Sequence, residues 1–264
     1  MNKKYCVIGN PISHSISPKL HNYAYEKLNI DANYSKVLLE NKADLKKTIL
    51  EYQYDGANIT VPFKEAAYDI CDEVVGIAQK IKAVNTIVRK HDKLIGFNTD
   101  ATGFLKSIER FRGINSILIL GAGGTAKAIS HILRENNLHV HILNRSKNRL
   151  ESFRDNGFKT FTHDDNLPNN YDLIVNTTSA GLNNNELPAP KELLLHISKN
   201  CRFAYDVIYN KHTPFLEFCK EQNLICKDGA DMLLYQAVFA FKIFFDNIYN
   251  EVDIIRYMRE ALHA

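Results

Sequence analysis

The first hundred residues alternate between short apolar runs and amphipathic stretches. Apolar runs bounded by Gly, Pro or Asp are typical of strands, and apolar residues spaced three and four apart are typical of helices. Ser17 followed by Pro18 has the form of a cap and a first helical turn. The pattern predicts strands over residues 5–8, 34–39 and 57–61, helices over 17–28, 42–52 and from Pro62 onward, and a hairpin over 83–89 and 94–98.

The second half of the chain has a different pattern. Residues 116–120 read Ser-Ile-Leu-Ile-Leu, a short apolar run typical of a strand buried on both faces of a parallel sheet. A glycine turn and a helix follow, and strands continue to alternate with helices, which predicts a doubly wound α/β fold. Further strands are predicted over residues 140–143, 173–175 and 203–207, and closing helices over 232–247 and 252–262.

The glycine turn has the form G-x-G-x-x-A, with the residues Gly121-Ala122-Gly123-Gly124-Thr125-Ala126. Alone this pattern is weak, but here it follows a buried strand and opens a helix, which is the context a dinucleotide needs. Gly121 permits the tight turn, and Gly123 lets the backbone approach a pyrophosphate at the helix N-terminus. The alternative is an ordinary tight strand-helix turn.

The end of the next predicted strand indicates which nicotinamide cofactor binds. NAD sites place Asp or Glu there to accept a hydrogen bond from the ribose 2′-hydroxyl. This chain has Asn144-Arg145-Ser146 instead, with Arg149 just beyond. Two guanidinium groups can form charge-assisted hydrogen bonds to a 2′-phosphate, so the sequence favours NADP. The alternative is that the arginines are a solvated helix start.

Neutral polar residues near predicted turns and element ends form a second group. Such positions suit a cleft that holds a ligand rich in hydroxyl groups. Taken singly, Ser17 before Pro18 and Asp100 before a helical run could each be a helix cap. The group consists of Ser15, Ser17, Asn58, Thr60, Asn85 and Gln236.

Eight segments resemble motifs of the shikimate dehydrogenase family and follow one another in the same order as in that family. Together they extend over nearly the whole chain. An ordered set of motifs is far more specific than any single one. Lys211 departs from the family pattern, which often has proline after Tyr-Asn. The segments are residues 9–18, 56–64, 76–86, 96–103, 121–124, 144–146, 176–179 and 228–236.

The resemblance implies an enzyme that interconverts 3-dehydroshikimate and shikimate with NADP. Lys64 matches the catalytic lysine and Asp100 its partner, and an ammonium can both polarise a carbonyl and donate a proton. Ser15 and Ser17 match a pair that binds the substrate carboxylate, and Tyr209 matches a tyrosine near that carboxylate. The residues that match those holding the ring hydroxyls are Thr60, Asn85, Asp100 and Gln236. The implied substrate-binding residues are Ser15, Ser17, Asn58, Thr60, Lys64, Asn85, Asp100, Tyr209 and Gln236.

The resemblance also implies how the chain is divided. Residues 1–100 form an α/β substrate-binding catalytic domain to which the C-terminal helices, residues 231–264, return. Residues 101–230 form a Rossmann-type, doubly wound NADP-binding domain, and the active site is expected in the groove between the two. The implied cofactor contacts are Gly121, Ala122, Gly123, Gly124, Thr125, Ala126, Asn144, Arg145, Ser146, Arg149, Val207 and Gly229.

Composition and charge limit the classes of molecule that this protein is expected to bind. The net charge of +3 is too small to suggest nucleic acid, and no apolar run is long enough for a membrane span. The five cysteines form no C-x-x-C pair, so reduced thiols in a cytoplasmic protein without a targeting segment are expected. His139 and His141 alternate on a predicted strand and therefore point to opposite faces of the sheet. For this reason no metal site is expected. We expect a small-molecule partner and a protein that is either a monomer or a homodimer.

Two alternatives stay open. A relative with relaxed use of quinate or NAD would share most of these motifs, although the paired serines and the Asn-Arg-Ser sequence count against it. A non-catalytic NADP-sensing regulator could use the same fold, because a fold does not fix a function. Lys64 and Asp100 are both present, which favours an enzyme over a regulator.

Overall fold

The computed structural model describes residues 2–264. The contacts divide the chain into two compact units. The first consists of the residues up to Gly103 together with Leu233–Ala264, and the second is Phe104–Met232. No helix in this described range is long and apolar enough to cross a bilayer.

The first unit contains a mixed six-stranded sheet with the strand order β2-β1-β3-β5-β6-β4. The pairs of β1 with β2 and with β3 are parallel, whereas β5 is antiparallel to both β3 and β6. The strands are β1 (Lys3–Gly9), β2 (Ala32–Leu38), β3 (Gly56–Ile59), β4 (Glu73–Val74), β5 (Thr86–Lys90) and β6 (Lys93–Phe97). The helices are α1 (Ser17–Lys27), α2 (Leu45–Glu51, after a 3-10 turn at Lys42–Asp44), α3 (Lys64–Ile70), α4 (Ile77–Ile81) and α5 (Thr99–Ser107), of which α5 continues into the second unit.

The second unit contains six strands in the order β12-β11-β10-β7-β8-β9, and every pair in this sheet is parallel. This is the strand order of a doubly wound dinucleotide-binding sheet. The strands are β7 (Ser116–Leu120), β8 (His139–Leu143), β9 (Lys159–Phe161), β10 (Leu173–Asn176), β11 (Phe203–Asp206) and β12 (Ile225–Lys227). The helices are α6 (Gly124–Glu135), α7 (Glu151–Asp155, after a 3-10 turn at Lys147–Leu150), α8 (Lys191–Ser198) and α9 (Pro214–Glu221).

The two closing helices are α10 (Ala230–Phe244) and α11 (Glu251–His263), and from Leu233 onward they belong to the first unit. Their apolar faces join α1 and β1 in one core, in which the ring of Phe244 stacks on Tyr5 at a centroid distance of 4.6 Å. A second core lies on the other face of the sheet, around Ile8, Leu45 and Ile59. Both faces of β1 are therefore buried, which explains its continuous apolar run.

The predicted fold class is confirmed, with three local differences. The helix expected from Pro62 begins at Lys64, because Thr60 to Phe63 first form a turn closed by a hydrogen bond from Phe63 N to Thr60 O. Ser17 is not a cap: Ile16 holds that position, and Ser17 lies inside the helix. The short strands β4, β9 and β12 were not predicted, because two or three residues carry too little periodicity to recognise.

Candidate active site

The first group of candidate residues gathers where β1 and β3 end. Because these strands are parallel, the loops that follow them lie at the same edge of the sheet. The loops are joined by a hydrogen bond from Asn10 N to Val61 O (3.0 Å). A Cβ atom on Gly9 would lie 2.4 Å from Cγ2 of Thr60. Only glycine at position 9 thus lets the two loops pack this closely.

Ser15 and Ser17 lie at the start of α1, in the loop after β1. Their hydroxyl oxygens are 3.3 Å apart, and Ser17 is buried while Ser15 is partly buried. Ile16 at the cap position makes no side-chain hydrogen bond, and Ser15 Oγ accepts a long bond from Ser17 N (3.4 Å) at the first residue of α1. Two adjacent hydroxyl groups can donate to the two oxygens of one carboxylate.

Lys64 and Asp100 form an ion pair, with 2.5 Å between Lys64 Nζ and Asp100 Oδ2. The side chains are only 21% and 13% exposed, so the pair is largely shielded from water and still accessible. Lys64 is the first residue of α3 and its carbonyl accepts from Val84 N. Asp100 lies in the first turn of α5, but Asn98 Oδ1 accepts from Ala101 N and supplies the cap. The Asp100 carboxylate therefore remains free to bind Lys64.

Buried amides hold the elements that carry this pair. Asn85 Oδ1 accepts from Thr99 N (2.7 Å), and Asn85 Nδ2 donates to Thr99 Oγ1 (3.1 Å). Asn58 Nδ2 donates to Thr86 Oγ1 (2.9 Å), and Asn58 Oδ1 accepts from the Tyr34 hydroxyl (2.6 Å). These bonds join β3 and β5 to the residue directly before Asp100. Further bonds from Thr86 Oγ1 to Asn85 Oδ1 (3.0 Å) and from Asn58 Nδ2 to Asn85 O (3.2 Å) join these groups into one buried network.

Gln236 lies on α10 and reaches the same region through helix packing. A Cβ atom on Gly103 would lie 2.8 Å from Gln236 N, so α5 and α10 are in close backbone contact at this point. Gln236 Nε2 donates to Leu233 O in its own helix (3.0 Å) and leaves the amide oxygen available. The glycine of α5 thus places Gln236 beside the helix that carries Asp100.

The second group of candidates surrounds a cavity of about 830 Å³ in the second unit. It lies at the carboxyl ends of β7, β8 and β10, where ligands bind in doubly wound sheets. From the predicted cofactor residues, the wall includes Gly121, Ala122, Gly123, Asn144, Arg145 and Arg149. The structure adds residues that were not predicted, namely Leu143, His163, Thr177, Thr178, Ser179, Ala180 and residues 184–191.

The glycine turn has the shape that a pyrophosphate requires. Gly121 has a φ of +109°, which strongly favours glycine, and a Cβ atom there would lie 2.7 Å from Thr177 Oγ1. At Gly123 and Gly124 a Cβ atom would meet nothing within 4 Å, so a ligand can approach the backbone. No side chain caps α6, whose first N–H groups are thus open to an anion.

Arg145 and Arg149 are exposed on the cavity wall just after β8. The turn is held by hydrogen bonds from Asn144 N to Phe161 O (3.0 Å) and from Asn144 Nδ2 to Ser146 O (2.9 Å). Residues 144–150 contain no acidic side chain. The two guanidinium groups can therefore both face a phosphate without a competing carboxylate in this segment.

A buried carboxylate, Asp206, links two loops at this edge of the sheet. Its Oδ1 accepts from Asn176 Nδ2 (3.1 Å), and its Oδ2 accepts from the Thr213 hydroxyl (2.7 Å). Asn176 Oδ1 in turn accepts from the backbone and the hydroxyl of Thr178, which lines the cavity. Burial raises the pKa of Asp206 above its ordinary value. Hydrogen bonds to its carboxylate from the side chains of Thr213 and Asn176 and from the backbone of Ile208 oppose that rise. Sequence reasoning overlooked Asp206 because a single acid at a strand end resembles a turn residue.

The remaining predicted residues do not line the cavity. Val207 and Gly229 are in contact, since a Cβ atom on Gly229 would lie 2.1 Å from Val207 O. Tyr209 follows β11 and is partly buried, and burial raises the pKa of its phenol. Gly124, Thr125 and Ala126 are the first three residues of α6, Ser146 directly precedes the 3-10 turn at Lys147–Leu150, and none of the four lines the cavity.

No group of three or more His, Cys, Asp or Glu side chains among residues 2–264 is arranged to hold a metal ion. His141 Nδ1 lies 3.0 Å from the hydroxyl of Tyr171, so its ring has a structural partner.

The fold and the glycine turn define the class of protein. A parallel six-stranded sheet in this strand order, with a glycine turn at the switch point and arginines after the next strand, is a Rossmann-type dinucleotide-binding unit. The other unit carries a shielded lysine–carboxylate pair, and a lysine held in this way is able to act as a general acid or base. Together these describe a nicotinamide-dependent oxidoreductase.

Comparison with known proteins identifies the family. Residues 7–87 match the model of the shikimate dehydrogenase substrate binding domain. A protein of Helicobacter hepaticus named shikimate dehydrogenase (NADP(+)) is 44% identical over 252 residues, which cover 95% of this chain and 94% of that protein. The chain belongs to the shikimate dehydrogenase family.

Solved structures agree over the whole length of the chain. Shikimate 5-dehydrogenase from Thermus thermophilus, in complex with NADP(H) and shikimate, is 31% identical with a TM-score of 0.83, and the match covers 98% of this chain and 99% of that one. Shikimate dehydrogenase from Aquifex aeolicus is 33% identical with a TM-score of 0.85 and covers 98% of each chain.

Proposed function

We propose that this chain catalyses the reversible NADPH-dependent reduction of 3-dehydroshikimate to shikimate. The observation that carries the proposal is the Lys64–Asp100 pair, 2.5 Å apart, on two of the segments that resemble the family. The name of the Helicobacter hepaticus relative and the ligands of the Thermus thermophilus structure support the same reaction and the same cofactor.

The two units divide the binding. Residues 1–100 with 231–264 bind the substrate, and residues 101–230 bind NADP. The match of residues 7–87 to a substrate binding domain supports the first assignment. The uncapped start of α6 and the open space at Gly123 fit a pyrophosphate, and Arg145 and Arg149 fit a 2′-phosphate, which supports the second.

The substrate is held by neutral donors at one end and by the ion pair at the other. Ser15 and Ser17 bind the carboxylate through their adjacent hydroxyls, with Tyr209 near the same group. Thr60, Asn85, Asp100 and Gln236 bind the ring hydroxyls. Asn58 contributes by position, because its amide oxygen and nitrogen are already engaged by Tyr34, Asn85 and Thr86.

In the chemical step, Lys64 moves the proton. The bound nicotinamide supplies the hydride that reaches the carbonyl carbon. Negative charge grows on the carbonyl oxygen, and the Lys64 ammonium polarises this oxygen and donates a proton to it. Asp100 orients the ammonium and accepts a hydrogen bond from the neighbouring substrate hydroxyl. In the reverse direction the neutral amine of Lys64 takes the proton back.

Absorbance at the NADPH band, measured with shikimate or quinate and with NADP+ or NAD+, tests the proposal. We expect turnover with shikimate and NADP+ and a much lower rate in the other three combinations. Equal rates with quinate or NAD+ would indicate the relaxed relative. Binding of NADP+ without any turnover would indicate the regulator.

We also propose that the protein works in the cytoplasm, as a monomer or a homodimer. All five cysteines are free thiols, which is usual in a reducing compartment. Light scattering of the purified protein decides between the two oligomeric states.

A further inference from the structure

His163 lies at the same sheet edge as the two arginines, although it is distant from them in sequence. It follows β9, which pairs in parallel with β8 so that Phe161 is opposite Leu143. The turn after β9 is fixed by bonds from Thr162 N (2.6 Å) and Thr162 Oγ1 (2.8 Å) to Asp165 Oδ2. His163 is partly buried and lines the cavity with Arg145 and Arg149.

The charges around His163 favour its neutral form while the cavity holds no anion. Partial burial lowers the pKa of the ring first, the positive charge of Arg145 lowers it further, and Asp164 opposes both. The other charged groups on the cavity wall are Arg149, Lys191 and Glu186. Within residues 2–264 no hydrogen bond engages the His163 ring, so both of its nitrogens are available to a ligand.

We propose that His163 is a third recognition group for the 2′-phosphate of NADP and that its ring takes up a proton as the dinucleotide binds. The inference rests on the proposed cofactor. A phosphate dianion between Arg145 and Arg149 offsets the positive field that keeps the ring neutral. The imidazolium form can then donate a charge-assisted hydrogen bond to a phosphate oxygen.

The sign of the pH dependence follows from this exchange. The ring is mostly neutral in the free protein and protonated in the complex, so its pKa is higher in the complex. The contribution of His163 to affinity is therefore present at low pH and is lost as the pH rises through the pKa of the complex. NAD+ has no 2′-phosphate, and its affinity gains nothing from His163.

Titration calorimetry of NADP+ and NAD+ tests the proposal with His163→Gln and, as a matched control, His139→Gln. His139 is exposed at the opposite end of β8 and lies outside the cavity wall. Repeating the titration at pH 6.5 in buffers of different ionisation enthalpy counts the protons taken up. The phosphate of NADP+ can itself exchange protons on binding. This contribution is the same for the parent protein and for both variants, so it cancels when their proton uptakes are compared.

We expect the parent protein to take up more protons with NADP+ than His163→Gln does. His163→Gln should bind NADP+ about tenfold more weakly at pH 6.5, as for loss of a hydrogen bond to a charged group, and nearly as well as the parent at pH 8.5. NAD+ binding and the His139→Gln variant should be unchanged. Equal proton uptake, or an equal loss for both dinucleotides, overturns the proposal. A parent protein that does not prefer NADP+ would instead overturn the cofactor assignment itself.

Discussion

At the residue scale, the chemistry depends on what surrounds each charged group. An exposed lysine binds water and contributes little, whereas Lys64 is held by Asp100 at 2.5 Å with 21% of its side chain exposed. Asp100 is available for this because Asn98, two residues earlier, caps the helix. The exposed Arg145 and Arg149 differ, since their role needs a ligand that brings the opposite charge.

Lys64→Ala should lower kcat by about a hundredfold or more, the usual scale for a positioned proton-transfer group. KM for shikimate should change much less, because the lysine mainly stabilises charge that exists only in the transition state. Steady-state kinetics on protein shown to be folded by circular dichroism measures both. The exposed Lys47→Ala is the control and should keep normal turnover. Turnover of Lys64→Ala within threefold of the parent enzyme would mean that Lys64 is not the proton donor.

Arg145→Asp should weaken NADP+ binding by about 2 kcal/mol or more, because a charge-assisted bond is lost and a repulsive charge is added. NAD+ binding should be unaffected or improved, since a carboxylate at this strand end can accept from the 2′-hydroxyl. Fluorescence or calorimetric titration of both cofactors measures the change. Arg112→Asp, an exposed arginine outside the cavity wall, controls for net charge. An unchanged ratio of the two affinities would contradict the prediction.

At the scale of elements, close backbone contacts place the site residues. The helices α5 and α10 touch at Gly103, which brings Gln236 beside the helix of Asp100. The loops after β10 and β11 are joined by Asn176, Asp206 and Thr213, and this network fixes the part of the cavity wall around Thr178. Neither arrangement contains a residue that itself reacts, and both decide whether the reacting groups are in place.

Gly103→Ala should destabilise the first unit by about 1–3 kcal/mol, the usual cost of inserting a methyl group into packed structure. The new Cβ would lie 2.8 Å from Gln236 N, so the two helices must separate. KM for shikimate should rise as Gln236 moves. Thermal unfolding and steady-state kinetics measure the two effects. Thr102→Ala, the neighbouring position in the same helix, should change the unfolding midpoint little, and equal behaviour of the two variants would contradict the packing argument.

Asp206→Asn tests the buried network through its pH dependence. The raised pKa means that ionised Asp206 costs stability, and this cost appears as the pH rises through the pKa of Asp206 in the folded state. Relative to the parent, the unfolding midpoint of Asp206→Asn should therefore improve from acid to neutral pH. KM for NADP+ should still rise, because Thr213 loses its carboxylate acceptor. A pH-independent difference between the two proteins would mean that the Asp206 charge is fully compensated.

At the scale of the whole molecule, the chain begins in the first unit, forms the whole of the second unit and then returns to the first. Each unit has its own six-stranded sheet. The proposed function assigns most of the substrate-binding residues to the first unit and the dinucleotide to the second.

Hydrogen exchange with one ligand at a time tests that division. Shikimate alone should slow exchange in residues 10–18 and 60–64, and NADP+ alone should slow it in residues 121–126 and 144–149. Ligands protect the segments that they order, because opening must then release the ligand. Mass spectrometry of peptides locates the protection, and the loop at residues 91–92 is an internal reference. Protection by shikimate confined to the second unit would contradict the assignment.

The local features of this protein could be predicted from the order of its residues alone. The strand over residues 116–120, the glycine turn after it and the arginines after β8 could all be predicted, because hydrophobic period, turn chemistry and charge are properties of neighbouring residues. The family motifs added Lys64 and Asp100 as candidates. What each candidate touches could not be predicted, since such contacts depend on chain segments far apart.

Those contacts form only when distant segments of the chain fold together. The ion pair joins residues 36 positions apart, and its geometry depends on the bond between Asn85 and Thr99 and on the cap at Asn98. The strand β9 is only three residues long and forms by pairing with β8, so the position of His163 beside Arg145 exists only once the sheet is assembled. The physical reason is that a short strand gains its stability from its neighbours' hydrogen bonds rather than from its own sequence.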